Sequence, residues 1–306
     1  MSKIQLRPLS PVFGAEVRGV NLAAGLNDDT FAEIHQAFLD YGVLFFKDQP
    51  APMDEATQIA FGRRFGPLHI HPAAPGSGED DAIFVIHAHR DSKVANGNGW
   101  HTDVSCDEQP PMATMLQLRL LPEGGGGDTM FANMEAAYAV LSDDDRQFLR
   151  GLSANHTSEH IFRGRYADRG VDDSDRASYP AAVHPVVRTH PETGRPSIYV
   201  NRAFTTSIDG MDTEEGHRLL GRLLDHVERP EFQIRFSWEQ NDVALWDNRC
   251  LQHYALWDYW PNERLGHRVT VLGDRPSFDP AAPEPERSSI RVRIESIRPR
   301  VDAAVA

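Results

Sequence analysis

The chain has 306 residues, 40% of them hydrophobic and 25% charged, the make-up of an ordinary globular protein and not of a fibrous or low-complexity one. A formal net charge of -14 argues against a nucleic-acid partner, which would need clustered Lys and Arg to meet phosphate. No apolar run reaches the length of a membrane span, the start Met1-Ser2-Lys3-Ile4-Gln5-Leu6 lacks a signal-peptide core, and Cys106 and Cys250 offer no disulfide framework, so a cytoplasmic protein without a membrane partner is expected.

In chain order, Val12 to Val20 reads as a bent strand or hairpin relieved by Gly14 and Gly19. Asn27-Asp28-Asp29 caps a helix with Phe31, Ile34 and Phe38 on one face. Val43 to Phe46 is a short buried strand, and a helix follows from Asp54 to Phe65, stopped by Gly66-Pro67. Leu116, Leu118 and Leu120 alternate with Gln117 and Arg119, the pattern of a half-buried strand. Gly124 to Gly127 lack the Gly-Lys-Ser/Thr ending of a phosphate cradle and read as a flexible turn.

Helical patterns return at Met134 to Leu141 and Asp143 to Leu152, and Asn155 to Ala181 has the polar profile of a long functional loop. Val186-Val187-Arg188 and Ser197 to Val200 flank His190-Pro191-Glu192-Thr193-Gly194 as a hairpin. A helix at Thr213 to Glu228 turns Leu220, Leu223, Leu224 and Val227 inward. Strands follow at Phe232 to Phe236, Val243 to Trp246 and Val269 to Leu272. Residues 1–278 are expected to form a single domain, and residues 279–306 a charged, proline-containing tail whose alternating Ile290, Val292 and Ile294 suit an edge strand or a subunit contact.

The chemistry concentrates in Trp100-His101-Thr102-Asp103 and, far downstream, Trp246-Asp247-Asn248-Arg249-Cys250-Leu251-Gln252-His253. His-x-Asp on extended backbone turns both side chains to one side, and a remote His closes a triangular face. Three ligands on one face of an octahedral ion leave open positions for a chelating co-substrate and O2, the geometry of non-haem Fe(II) oxygenases. Arg264 and Arg268 follow, and arginine holds carboxylates through paired N–H···O bonds. The same triad also suits a zinc hydrolase, although Arg264 would then have no task. A non-catalytic ligand sensor on the same fold is the remaining alternative.

Taken with Gly126-Gly127-Asp128-Thr129, His253-Tyr254 and the early Gly14 to Val20 and Phe65-Gly66 segments, these residues resemble the taurine dioxygenase family, which includes 2,4-dichlorophenoxyacetate dioxygenase and alkylsulfatases. The similarity runs from about Leu6 to Phe278. It implies a double-stranded β-helix, a cupin-like jelly roll that is mainly β with surrounding helices. It also implies Fe(II) held by His101, Asp103 and His253, with 2-oxoglutarate held by Thr129 and Arg264 and O2 as second co-substrate. Trp100 and Trp246 are expected to pack around the ligands.

The resemblance further implies a small anionic organic substrate met by His71 and Arg268, as a sulfonate is in the taurine enzyme. Where that enzyme meets the taurine amine with a tyrosine and an asparagine, this chain has Ala74 and Gly97. A desolvated amine without partners would cost several kcal/mol, so taurine is disfavoured against alkyl sulfonates, sulfate esters or aryloxyalkanoates. Asn96 and Asn98 flank Gly97, Phe204 and Phe162 are candidate apolar walls, and a homo-oligomer is expected.

Overall fold

The computed structural model describes residues 4–72, 81–165, 167, 179–283 and 296–297. The antiparallel pair β1 (Gln5–Pro8) and β2 (Ala15–Arg18) leads to α1 (Asp28–Tyr41), whose first turn is closed by the Asn27 side chain accepting the Thr30 N–H at 2.9 Å. Next come β3 (Val43–Phe46), α2 (Glu55–Arg63), β4 (Phe84–Ala88), β5 (Pro111–Leu120) and β6 (Thr129–Asn133). The middle of the chain supplies α3 (Met134–Ala139), α4 (Asp143–Leu149), β7 (Ser153–Thr157), α5 (Glu159–Phe162), β8 (Ala181–Pro185), β9 (Val187–Thr189), β10 (Pro196–Ile198) and β11 (Thr205–Ile208). It closes with α6 (Thr213–Val227), β12 (Gln233–Phe236), β13 (Val243–Asp247), β14 (Leu251–Ala255) and β15 (Arg264–Leu272).

These strands build a double-stranded β-helix. A seven-stranded sheet runs β1-β2-β3-β13-β5-β15-β4, and a three-stranded sheet runs β12-β6-β14. Side chains alternate across each strand, so every central strand feeds two cores. Val43 and Phe45 of β3, Leu116 and Leu118 of β5, and Ala244 and Trp246 of β13 meet Phe131 and Leu251 of the smaller sheet. Their neighbours Leu44, Phe46, Met115, Val243 and Leu245 face the other way, onto Ile34 and Phe38 of α1 and Ile59 and Phe61 of α2. Behind the smaller sheet, α3 and α6 share a third core with Val187 and Ile198 of the β9–β10 hairpin.

Three expectations change. β5 is not half-buried: Gln117 is fully buried and Leu120 is exposed. This strand lies between β13 and β15 with both faces covered, and Gln117 satisfies its amide by accepting the Met53 N–H and donating to the Asn241 carbonyl, both at 3.0 Å. The stretch from Asn155 is not simply a loop, because Asn155 to Thr157 belong to β7 and α5 follows. The last strand begins at Arg264, five residues before its run of β-branched residues, because pairing with β4 and β5 sustains it. Ile290, Val292 and Ile294 lie outside the described residues, whereas Ile297 is buried in the α3–α6 core and Ser296 Oγ donates to Asp145 at 2.8 Å.

Candidate active site

The inward faces of four strands converge. Thr114 on β5, Thr129 on β6, His253 on β14, and Arg264 and Arg268 on β15 all project between the sheets, since their partners across the ladders, Trp246, Phe236, Phe131 and Leu116 among them, line that same core. His101 joins them through a single antiparallel bridge to His253. The imidazole centroids lie 4.0 Å apart, and both Nε2 atoms face Asp103 Oδ1, at 3.7 Å from His101 and 3.8 Å from His253.

Each of the three is prepared differently. His101 Nδ1 donates to the Gly99 carbonyl at 2.8 Å, which leaves the Nε2 lone pair turned to the centre. The His253 Nδ1 has no hydrogen-bond partner among the described residues, so that ring is aimed by packing against Trp246 (4.7 Å) and Phe131 (6.1 Å). Burial holds both imidazoles below the ordinary histidine range and therefore neutral. Burial alone would raise the Asp103 carboxyl, but the Arg268 charge, with the Thr114 hydrogen bond, outweighs it and keeps Asp103 well below the usual carboxylate range. Thr114 Oγ1 donates to Asp103 Oδ2 at 2.7 Å, and Asn248 Nδ2 donates to Thr114 Oγ1 at 2.9 Å. Directly after Asp103, Val104 has φ 43°, a left-handed conformation that a β-branched residue adopts only under constraint.

Two nitrogen donors and one carboxylate, with ligand atoms all within 4.8 Å of one another, fit an Fe(II) site with open positions. Arg264 fits an acidic co-substrate. Its guanidinium is buried with Nε and Nη2 unpartnered among the described residues, and burial lowers its pKa by more than Tyr259 and Asp128 raise it. Gly127 makes room for it: a Cβ there would fall 2.9 Å from Arg264 Cδ, on backbone already at φ 72°. Thr129 Oγ1 accepts the Trp238 indole N–H at 3.1 Å, and since indole only donates, the Thr129 proton remains available. Trp238 also spans the two, its ring 5.8 Å from the Arg264 guanidinium carbon.

A cavity of about 440 Å³ opens beside His101 and Asp103, walled by Phe84, Val104, Ile161, Phe162, Phe204 and Trp257. The family model for "Taurine catabolism dioxygenase TauD, TfdA family" matches residues 5–270. The chain belongs to this family. Among TauD/TfdA relatives, an "Alkylsulfatase" of Acinetobacter baylyi is 34% identical over 89% of this chain and 86% of its own. A "(S)-phenoxypropionate/alpha-ketoglutarate-dioxygenase" of Sphingobium herbicidovorans is 34% identical over 88% of this chain and 95% of its own. The crystal structure of a taurine dioxygenase from Burkholderia xenovorans superposes with a TM-score of 0.77 at 33% identity, covering 92% of this chain and 95% of that one. The family's dioxygenase description leaves the zinc-hydrolase alternative without support.

His71, Gly97, Phe204 and Arg268 line the cavity, and Ala74 lies outside the described residues. His71 stacks on Phe84 at 4.8 Å, and burial beside Arg268 pushes its pKa down to about 3. Arg268 is not wholly free for substrate, because its Nη1 donates to Asp103 Oδ1 at 2.8 Å. Gly97 does more than vacate space: its φ is 79°, and a Cβ would press within 3.3 Å of His101 Cε1. Of the flanking amides, Asn96 Oδ1 accepts from Arg165 and Asn98 Nδ2 donates to the Ala255 carbonyl, while Asn96 Nδ2 and Asn98 Oδ1 make no hydrogen bond among the described residues.

Trp246 packs on His253 as expected, while Trp100 packs on Tyr254 at 5.7 Å and lines the cavity. The sequence reading missed Thr114, Asn248 and Arg165, of which only Asn248 sat in a stretch singled out as chemically dense. A second buried trio, His190, Asp247 and Cys250, has ligand-like spacing. It is an ion-paired brace: Arg249 holds both Asp247 oxygens at 2.9 and 2.7 Å, and His190 Nε2 donates to Asp247 Oδ2 at 3.0 Å. No helix among the described residues is long and apolar enough to cross a membrane.

Proposed function

We propose that this protein is an Fe(II)- and 2-oxoglutarate-dependent dioxygenase that oxidises a small anionic organic substrate of the sulfate-ester, alkyl-sulfonate or aryloxyalkanoate type. The observation that carries this reading is the buried Arg264 guanidinium, held without an ion pair among the described residues on the same inward strand face as Arg268. Hydrolysis has no use for such a cation, whereas a dicarboxylate co-substrate requires one. The names of the relatives, alkylsulfatase and phenoxypropionate dioxygenase, support the substrate classes.

When bound, the metal and 2-oxoglutarate supply the oxidative chemistry, with succinate and CO2 as by-products. The chain supplies placement. His101, Asp103 and His253 would hold Fe(II) through two neutral imidazoles and one anionic oxygen, with Thr114 and Arg268 fixing the carboxylate's orientation. Arg264 would pair with the distal carboxylate of 2-oxoglutarate, and the Thr129 hydroxyl would donate to it. His71 stays neutral beside Arg268 and donates one N–H to the substrate's acid group without competing for its counter-charge. Phe84, Phe162 and Phe204 exclude water from the target carbon.

We read residues 1–278 as one oxygenase domain and residues 279–306 as a tail that docks at least through Ile297. Two buried free cysteines support a reducing, cytoplasmic setting, and a homo-oligomer is expected from sedimentation velocity. The deciding experiment supplies Fe(II), 2-oxoglutarate and a panel of alkyl sulfates, sulfonates and aryloxy acids, and follows O2 uptake, succinate and the oxidised product together. Substrate cleavage that proceeds without O2 and 2-oxoglutarate overturns the proposal.

A further inference from the structure

Three arginines line the substrate cavity, and they differ in what they hold. Arg268 is paired with Asp103 at 2.8 Å. Arg202 turns to α6, where Nε and Nη2 donate to the two oxygens of Glu228 at 2.9 Å each. Arg165, just beyond α5, has no carboxylate partner among the described residues. Its Nη2 donates to the Ala95 carbonyl at 3.0 Å and to Asn96 Oδ1 at 3.1 Å, its Nε donates to Asn96 Oδ1 at 3.3 Å, and Nη1 carries no hydrogen bond among the described residues. Neutral oxygens thus fix the position of a guanidinium that no carboxylate among the described residues pairs with. Asp103 is the only carboxylate lining the cavity among the described residues, so nothing else there answers that charge in a protein whose net charge is -14.

A guanidinium held by two neutral acceptors, with one edge open to a cavity, is a ready partner for an anion. Arg165 and Arg268 belong to different walls: the first is fixed to the Ala95–Asn96 strip, the second to Asp103 and the face of Phe84 at 4.8 Å. We propose that Arg165 is a second anion-binding group of the cavity, and that preferred substrates carry a second acidic group besides the one met by Arg268 and His71. This rests on the dioxygenase reading above and narrows its substrate class to organic acids with two acidic ends joined by an apolar body, which Ile161, Phe162 and Trp257 would cover.

The test uses protein loaded with Fe(II) and 2-oxoglutarate, kept free of oxygen so that binding is read without turnover. Hexyl, octyl and decyl sulfate and their ω-carboxylated counterparts are titrated calorimetrically into wild type and Arg165→Gln. At one chain length the carboxylated sulfate binds wild type about tenfold more tightly than the plain one, as a charge-assisted bond to a half-buried guanidinium allows. Arg165→Gln abolishes that preference and leaves plain alkyl sulfates within about twofold. In wild type the preference also shrinks as salt rises, a measurement that needs no variant. Absence of a preference at every length overturns the proposal. So does an equal loss for both ligand sets in the variant, the signature of an arginine that merely staples Ala95 and Asn96. Failure of every sulfate to yield succinate, with the binding pattern intact, would count against the dioxygenase reading and not against Arg165.

Discussion

The backbones of His101 and His253 bond to each other in both directions, His101 N–H to the His253 carbonyl at 3.1 Å and His253 N–H to the His101 carbonyl at 2.8 Å. Two residues far apart in sequence are thereby made direct cross-strand neighbours, which fixes the separation of their rings before any metal arrives. His253→Ala is expected to cut Fe(II) affinity by more than about a hundredfold, and Thr114→Val, which removes one hydrogen bond to Asp103, by about ten- to a hundredfold. Metal titration of each variant checks both. A Thr114→Val protein with wild-type affinity would show that Asp103 needs no such partner.

Arg264 sets stability against function. Two nitrogens of its buried guanidinium lack a hydrogen bond among the described residues, and Tyr259 and Asp128 offset its burial only in part, so Arg264→Leu is expected to raise the melting temperature of the protein without co-substrate. The same substitution should raise the 2-oxoglutarate requirement by about a hundredfold or more, because loss of a buried charged partner costs about 2–5 kcal/mol. Thermal melts and succinate formation against 2-oxoglutarate concentration give the two readings. A fall in melting temperature would mean that the arginine is compensated.

Gly97→Ala should act on the metal more than on the fold. An alanine at φ 79° carries a penalty of about 1–2 kcal/mol. Its Cβ would also push the His101 ring, 3.3 Å away, off its hydrogen bond to Gly99. The expected result is a modest loss of melting temperature with a roughly tenfold or greater loss of Fe(II) affinity. Equal losses in both, or none in affinity, would separate Gly97 from His101.

Acid should weaken the fold through His156. Burial pushes its pKa down to about 3, against an ordinary value of 6.5, and Ser105 Oγ lies 3.0 Å from Nδ1. Between those two values the unfolded chain takes up a proton that the folded one refuses. The contribution of His156 is therefore complete above pH 6.5 and is lost progressively as pH falls toward 3. His156→Gln should flatten the decline of stability across that window, measured by urea unfolding at a series of pH values. An unchanged slope would assign the decline to other groups.

Much of the site was legible because its signal is local chemistry. His101-Thr102-Asp103, His253, Arg264 and Arg268 are chemically active residue types at telling spacings, and the fold gathers them. What stayed hidden depends on partners. Gln117 looks solvent-facing until Met53 and α2 cover that face of β5, and Arg264 looks like a loop residue until β4 pairs with it. Thr114 is an ordinary strand threonine in sequence, and only the approach of Asp103 gives it a task. Arg165 stood in a polar stretch whose periodicity is weak, so nothing marked it from its charged neighbours until Ala95 and Asn96 came within reach. Helices with strong stripes, α1 and α6, were visible within a residue or two because their caps, Asn27 and Asp212, are written in the sequence.

Ile297 sits at 2% exposure among the side chains of α3 and α6, and Ser296 reaches Asp145 beside it. Ile297, in a tail whose composition suggested an edge strand or a subunit contact, therefore plugs a hole in the interior. Shortening the protein at Phe278 would unroof that interior and expose an apolar socket, so a truncated form should tend to clump in the test tube even though every iron ligand is still in place.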